Sequence, residues 1–367
     1  MFSSRHSRHA SFVRGSIVCA TLALAALLVA AMPGRSGETR ANEERIPPPL
    51  ILAGGRRLEF LRDFSSETQV EPKRSFWKKI VDVVAGPPSS HHMLRPYGIA
   101  IDSAGRIIVT DPGSATVQIF DFEKQKHRLL TGGKRIPFGS PQGVAVDAED
   151  RIYVTDSQLG VVFVFDSAGK PQQILGHQKN GRGYFERPTG IAVDSLANRL
   201  FVTDTLRHKV YALDLHGNVL NSFGGRGAGE GQFNFPTEIV LRGSELIVVD
   251  AMNFRVQTFN REGTFLHSFG SLGGATGYLL RPKGLALDSE GNVYVVDALL
   301  ETVQVFNREG ALLYFFGRGG TGPGEFQLPA GIFIDPRDRI YVADALNQRV
   351  QVFQFRGARS SRNGGQP

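Results

Sequence analysis

The chain has 367 residues, of which 41% are hydrophobic and 21% charged, with a formal net charge of +7. Its one cysteine, Cys19, excludes an intrachain disulfide and a cluster of metal-binding thiolates. Four of the seven net positive charges fall in residues 1–41, so the basic balance does not mark a nucleic-acid-binding surface, and specific nucleic-acid binding is not expected.

The N-terminus has the pattern of an export signal. Residues 1–15 contain three arginines and no acidic residue, and an apolar stretch follows over residues 16–32. The sequence predicts that residues 1–41 are a signal peptide and that the protein is exported, to the periplasm or another extracytoplasmic location. The alternative is an uncleaved signal anchor that tethers the protein to the inner membrane through residues 16–32.

Residues 42–94 are predicted to hold a closing strand and a connecting segment. The stretch Leu58–Phe64 has the composition of a strand but no partner in its own part of the sequence. Apolar residues over Phe76–Val84 have helical spacing, which predicts a short connecting helix.

Residues 95–355 repeat one unit six times, with a proline anchor in each: Pro96, Pro141, Pro188, Pro236, Pro282 and Pro329. A typical unit contains two apolar strands that end in Asp, then a hairpin, a Val-x-x-Phe strand and a fourth strand; blade four departs from this with Arg242 in place of the first Asp. A period of this length built from short strands is typical of propeller blades. The sequence therefore predicts an all-β, six-bladed β-propeller with blades starting near 95, 140, 187, 235, 281 and 328, and a disordered polar tail over residues 356–367.

The sixth unit lacks a fourth strand of its own. The unpaired stretch Leu58–Phe64 can supply it, which would join the two ends of the ring and remove an exposed sheet edge. We therefore expect the N-terminal strand to complete the last blade.

The repeats resemble the NHL repeat of bacterial exported propellers. The resemblance rests on Ile340–Asp344 with Asn347–Phe353, and on Asp250 with Asn253–Phe259, and it covers residues 95–355. It implies a propeller of NHL-type repeats. Because such propellers include scaffolds, sensors and a few enzymes, the resemblance implies the fold more firmly than the function.

The acidic residues that end the strands recur at the same positions in the repeats. A carboxylate repeated in every blade is expected to serve the blade, by accepting backbone N–H groups at a turn. No cofactor is predicted, although a divalent cation in the central channel is an open alternative. The corresponding alternative function is a metal-dependent hydrolase or lyase, similar to gluconolactonase or to the amidating lyases.

The hairpins between the second and third strands differ from blade to blade, as a binding surface requires. Loops on a rigid scaffold commonly carry recognition, and exposed Leu, Met, Phe and Arg are frequent in interfaces. The sequence predicts a monomeric, non-catalytic binding or scaffold module for a protein, peptide or glycan; packing of these residues between blades is the alternative. The predicted binding residues are Leu159, Leu206, Arg207, His208, Met252, Phe254, Arg255, Leu299, Leu300, Leu346, Gln348 and Arg349.

Overall fold

A computed structural model describes residues 46–52, 55–71, 91–133, 135–178 and 183–357. The predicted signal segment over residues 1–41 and the predicted helix over Phe76–Val84 lie outside the described residues, as does the tail from residue 358 onward. Within the described ranges the regular structure is β-sheet, apart from two 3₁₀ helices at Glu67–Gln69 and Ala251–Asn253. None of the helices in this part of the chain is long and apolar enough to span a membrane.

The described strands form six antiparallel sheets, which are the six blades of a β-propeller. The first two strands, β1 (Leu50–Ile51) and β2 (Arg57–Phe64), belong to the last blade. Blade 1 contains β3 (Ile99–Ile101), β4 (Ile107–Asp111), β5 (Thr116–Asp121) and β6 (Lys126–Leu130). Blade 2 contains β7 (Pro141–Val146), β8 (Ile152–Asp156), β9 (Val161–Phe165) and β10 (Pro171–Leu175). Blade 3 contains β11 (Pro188–Asp194), β12 (Arg199–Asp204), β13 (Lys209–Asp214) and β14 (Val219–Gly224).

The second half of the ring repeats this order. Blade 4 contains β15 (Pro236–Arg242), β16 (Glu245–Asp250), β17 (Arg255–Asn260) and β18 (Phe265–Phe269). Blade 5 contains β19 (Pro282–Leu287), β20 (Val293–Asp297), β21 (Thr302–Phe306) and β22 (Leu312–Phe316). Blade 6 contains β23 (Pro329–Ile334), β24 (Arg339–Asp344) and β25 (Arg349–Arg356), the last of which runs one residue beyond the predicted boundary.

The ring is closed by the N-terminal strand, as the sequence predicts. Strand β2 pairs antiparallel with β25, with Leu58 opposite Phe355 and Phe64 opposite Val350. An ion pair between Arg349 Nη1 and Asp63 Oδ2, at 2.9 Å, crosses the same junction. The short strand β1 adds a fifth strand outside β2, which the sequence did not predict.

The apolar core lies between the blades in six clusters, one at each junction of neighbouring blades. A middle strand of a blade is therefore covered on both faces by neighbouring blades. Strands β8 and β9, for example, are buried along their whole length. This explains why those strands read as continuous apolar runs rather than as alternating apolar and polar residues.

The aspartates that end the second strands are fully buried: Asp111, Asp156, Asp204, Asp250, Asp297 and Asp344. Asp297 shows a pattern that it shares with Asp111 and Asp156, because its carboxylate accepts the N–H groups of Leu299 and Leu300 in its own hairpin. It also accepts those of Leu280 and Arg281, which lead into the same blade. These hydrogen bonds confirm the predicted turn-capping role in three blades, whereas Asp250 and Asp344 bind the side chains of Asn253 and Asn347 in their hairpins. All six carboxylates accept an N–H group at the entry to their blade.

Candidate functional site

Two sets of residues lie at the same end of the channel: the hairpins between second and third strands, and the residues just before the first strand of each blade, which is the inner strand that faces the channel. We call this end the hairpin face. A cavity of about 610 Å³ opens there, and its wall contains residues from both sets, such as Gly113 and Met252 from hairpins and Arg187 from a blade entry. We call it the mouth cavity. Each of the six blades contributes to its wall, through Arg95, Gln142, Arg187, Thr237, Lys283 and Ala330.

Three arginines of the mouth cavity occupy one repeat position. Arg95, Arg187 and Arg281 directly precede the proline anchors of blades 1, 3 and 5, whereas the other blades place Ser140, Phe235 and Leu328 there. All three arginines are exposed. None of their guanidinium groups is ion-paired or hydrogen-bonded to another residue in the described part of the chain. The mouth therefore carries positive charge that no carboxylate among the described residues pairs with.

Lys283 adds a fourth cation deeper in the same cavity. Its Nζ lies 5.8 Å from the centroid of the Tyr97 ring. Burial lowers the pKa of Lys283 to about 8, and the nearby charges of Arg281 and Arg95 act in the same direction. Burial also raises the pKa of the Tyr97 hydroxyl, so this phenol stays protonated and can donate a hydrogen bond.

Below the mouth lies a second cavity of about 410 Å³, which we call the lower cavity; apolar side chains such as Ile99, Val144 and Leu285 form most of its wall. Glu238 also lines it. Protein surrounds this carboxyl group although water in the channel reaches part of its surface, and burial raises the pKa of Glu238 to about 8. The charge of Glu238 in turn contributes to raising the pKa of Tyr97, so the two groups are electrostatically coupled across the two cavities.

Glu238 breaks the repeat at a position that is glycine in the other five copies. The glycine is needed because neighbouring blades approach closely there. A Cβ on Gly190, for example, would lie 2.7 Å from the Thr237 carbonyl oxygen, closer than real Cβ atoms come to a backbone atom. Only blade 4 places a side chain at this point.

Four predicted binding residues project from the hairpins into solvent. Leu206, Met252, Leu299 and Leu346 are 38%, 44%, 50% and 50% exposed, and each lies two residues after the buried second-strand aspartate of its blade. We call these four side chains the apolar collar. It covers blades 3 to 6, and Met252 also lines the mouth cavity. The structure thus brings this part of the predicted site together around the channel.

Two other predicted residues pack inward and hold their hairpins in place. Leu159 packs into the core between blades 1 and 2, and Phe254 into the core between blades 4 and 5. Leu300 is half-buried, whereas Gln348 is exposed. Phe254 is the left-handed residue of its hairpin, with φ of 55°, and its ring packs against the core.

The charged and aromatic members of the predicted set also have partners within the fold. Arg255 and Arg349 donate from Nε to Asp250 and Asp344, each at 2.9 Å. The Arg207 guanidinium lies 5.4 Å from the centroid of the Tyr184 ring. His208 is buried, and its Nδ1 accepts the Phe235 N–H at 3.1 Å.

Sequence reasoning missed the cationic mouth and Glu238. The signal was present in the alternation of arginine before the proline anchors and in the one glutamate that replaces a repeated glycine. As for metals, the described residues contain no group of three or more His, Cys, Asp or Glu side chains that could hold an ion.

Comparisons with known proteins place the chain by its fold. A family model described as a 6-bladed beta-propeller matches residues 129–218 and 278–362. No curated protein matches the sequence. The NHL-type assignment of the repeats stays a prediction.

Solved structures share the fold at low sequence identity. A gluconolactonase from Xanthomonas campestris is 15% identical, with a TM-score of 0.57 over 85% of this chain and 96% of that one. The virginiamycin B lyase from Staphylococcus aureus is 12% identical, with a TM-score of 0.53 over 82% of this chain and 99% of that one. An auxiliary nutrient binding protein from Bacteroides thetaiotaomicron is 13% identical, with a TM-score of 0.56 over 72% of this chain and 70% of that one.

Proposed function

We propose that the protein is an exported, monomeric, non-catalytic binding module of NHL type whose partner sits on the hairpin face. The observation that carries this proposal is the apolar collar. Large apolar side chains are exposed at the same hairpin position in four consecutive blades, around the mouth of the channel. Neighbouring exposed apolar side chains of this kind favour an interaction site.

The chemistry of the collar favours a protein or peptide partner. Leucine and methionine side chains gain most by contact with other apolar side chains, whereas a glycan presents mainly hydroxyl groups. The cations line the mouth cavity, whose wall also includes Met252 of the collar. A segment that combines apolar side chains with an acidic group therefore matches this face in both respects.

A binding role is also known for a protein of this fold. The protein from Bacteroides thetaiotaomicron is named as an auxiliary nutrient binding protein, and it shares the propeller fold at low sequence identity. The proposed export rests on the basic and apolar pattern of residues 1–41.

A metal-dependent hydrolase or lyase is the second candidate, and Glu238 favours it. A carboxyl group whose pKa is raised to about 8 in a channel is suited to general acid or base chemistry. The gluconolactonase and the virginiamycin B lyase share the propeller. Metal analysis of protein purified without chelators separates the two functions, because the enzyme hypothesis expects a stoichiometric divalent ion and a calcium- or magnesium-dependent gain in melting temperature.

The proposed function is tested with peptides selected from a random phage-displayed library against the wild-type protein. A collar variant carries Leu206→Ser, Met252→Ser, Leu299→Ser and Leu346→Ser. Its affinity for the selected peptides, measured by fluorescence anisotropy, is expected to fall roughly tenfold or more, since burial of one such side chain contributes about 1.5–3 kcal/mol.

A matched control variant replaces four exposed leucines on the outer strands and the opposite end of the ring: Leu196, Leu220, Leu266 and Leu313. It loses the same kind of surface but should keep the wild-type affinity. Equal loss in the two variants, or a selection that yields no peptide, would contradict the assignment of the hairpin face.

A further inference from the structure

The mouth cavity concentrates four cations, Arg95, Arg187, Arg281 and Lys283, in its wall. The described residues of this wall include no Asp or Glu. Like charges that converge on a cavity with low-dielectric walls repel one another and focus a positive potential there. The effect reaches Lys283, whose pKa is lowered by burial and by the charges of Arg281 and Arg95. An anion in the cavity would remove this repulsion.

We propose that the mouth cavity binds a small, multiply charged oxyanion, a molecule bearing carboxylate or phosphate groups, through Arg95, Arg187, Arg281 and Lys283. A guanidinium group presents a planar set of N–H donors that matches the two oxygens of a carboxylate or phosphate, and an ammonium adds a compact charge. This site goes beyond the proposed function, because it takes a free small molecule whether or not a larger partner occupies the collar.

The size and the neutral groups of the cavity suit such a ligand. Its volume of about 610 Å³ lies within the range of roughly 300–1,000 Å³ typical of small-molecule pockets. The Tyr97 hydroxyl makes no hydrogen bond within the described residues, and its raised pKa keeps it a donor. Gln142 and Ser140, which are hydrogen-bonded to each other at 3.1 Å, add polar groups on the blade 2 side.

The charge of the cavity changes near neutral pH. As the pH rises through about 8, Lys283 loses its proton and Glu238 in the lower cavity becomes an anion. The three arginines keep their charge, and Tyr97 stays neutral because its pKa is raised. The first titration removes a positive charge and the second adds a negative one. Both make the channel less positive, so anion affinity is expected to be greater at pH 7 than at pH 9.

The test is isothermal titration of the purified protein with citrate and with inorganic phosphate at pH 7 and constant ionic strength, with glucose as a neutral probe. We expect saturable binding of at least one anion and none of glucose. The triple variant Arg95→Gln, Arg187→Gln and Arg281→Gln should lose roughly tenfold or more in affinity, because charge-assisted hydrogen bonds contribute about 1.5–3 kcal/mol each. The two anions show whether carboxylate or phosphate is preferred.

The control variant removes the same charge elsewhere, through Arg128→Gln, Arg308→Gln and Arg337→Gln, three exposed arginines outside the mouth cavity. It should bind like the wild type. Should the triple variant not fold, the single variant Arg281→Gln gives the same readout. The proposal is overturned if the wild type shows no saturable binding of either anion, or if the mouth and control variants bind alike. Because the probes are small ions, this result does not depend on whether selected peptides bind the collar.

Discussion

Arginines at two different positions of the repeat have opposite roles. At the turns between first and second strands, Arg106, Arg151 and Arg339 donate from Nε to buried aspartates at 2.5, 2.6 and 2.7 Å. On the hairpin face, the arginines of the mouth cavity have no carboxylate partner within the described residues. The same residue type therefore stabilises turns at one repeat position, as Arg255 and Arg349 also do within the hairpins, and leaves its charge available just before the proline anchors.

The difference follows from what the aspartates bind. On the hairpin face the carboxylate of Asp297 accepts the backbone N–H of Arg281 rather than its guanidinium group. Asp111 and Asp204 bind the backbone of Arg95 and Arg187 in the same way. Each carboxylate thus fixes the backbone of a mouth arginine and leaves its guanidinium group free to face the cavity.

The largest expected effect comes from removing one of these carboxylates. Asp297→Ala leaves the N–H groups of Leu280, Arg281, Leu299 and Leu300 without their acceptor. We expect the free energy of unfolding to fall by roughly 2–4 kcal/mol in a urea titration, since buried unsatisfied donors cost about 1–3 kcal/mol each. The exposed Glu309→Ala removes the same charge and should change stability by less than about 0.5 kcal/mol. An equally small effect of Asp297→Ala would show that the hairpin does not depend on its carboxylate.

An intermediate effect is expected at Glu238, and it depends on pH. In the unfolded chain this group ionises near 4.5, whereas in the folded protein it keeps its proton up to a pKa of about 8. Between these values the folded state binds more protons, so stability falls as the pH rises. Relative to Glu238→Gln, the wild type should lose roughly 1–3 kcal/mol between pH 5 and pH 8, a range discounted for the water that reaches the group. A constant difference between the two proteins across this range would mean that Glu238 titrates normally.

The smallest effect separates the two kinds of arginine. Arg339→Gln breaks an ion pair with a buried aspartate and is expected to lower the free energy of unfolding by about 1 kcal/mol. Arg281→Gln breaks no such pair and relieves repulsion with Lys283, so it should leave stability unchanged or slightly increased at low salt. Loss of stability in both variants would mean that the mouth arginines are structural as well.

The sequence predicted the fold because each blade repeats residues whose physical role is local. Three kinds of residue recur in one register: prolines before or at the start of the first strand, aspartates that cap turns and valines that fill the core. The unpaired stretch Leu58–Phe64 could pair only with the last blade, which lacks a fourth strand of its own. Strand β1 escaped prediction because two residues, Leu50–Ile51, are too short to show a pattern.

The candidate site was predicted only in part. Leu206, Met252, Leu299 and Leu346 are exposed, whereas Phe254 packs against the core and Gln348, at the same position and with the same left-handed conformation, is exposed. The hairpin position therefore does not decide by itself which side chains face solvent. The grouping of the mouth arginines could not be predicted from the sequence, because that requires knowing that the residues just before the first strand of each blade converge on the channel. Glu238 could have been found from sequence, because it departs from an otherwise repeated glycine.

The most direct test of the account is a crystal structure of the protein grown with selenate, located by the anomalous scattering of selenium. We expect a peak in the mouth cavity, within hydrogen-bond distance of at least two of Arg95, Arg187, Arg281 and Lys283. We also expect that the peak disappears in the triple arginine variant. Selenate bound elsewhere with an empty mouth cavity would contradict the claim that this end of the channel is built to receive an anion.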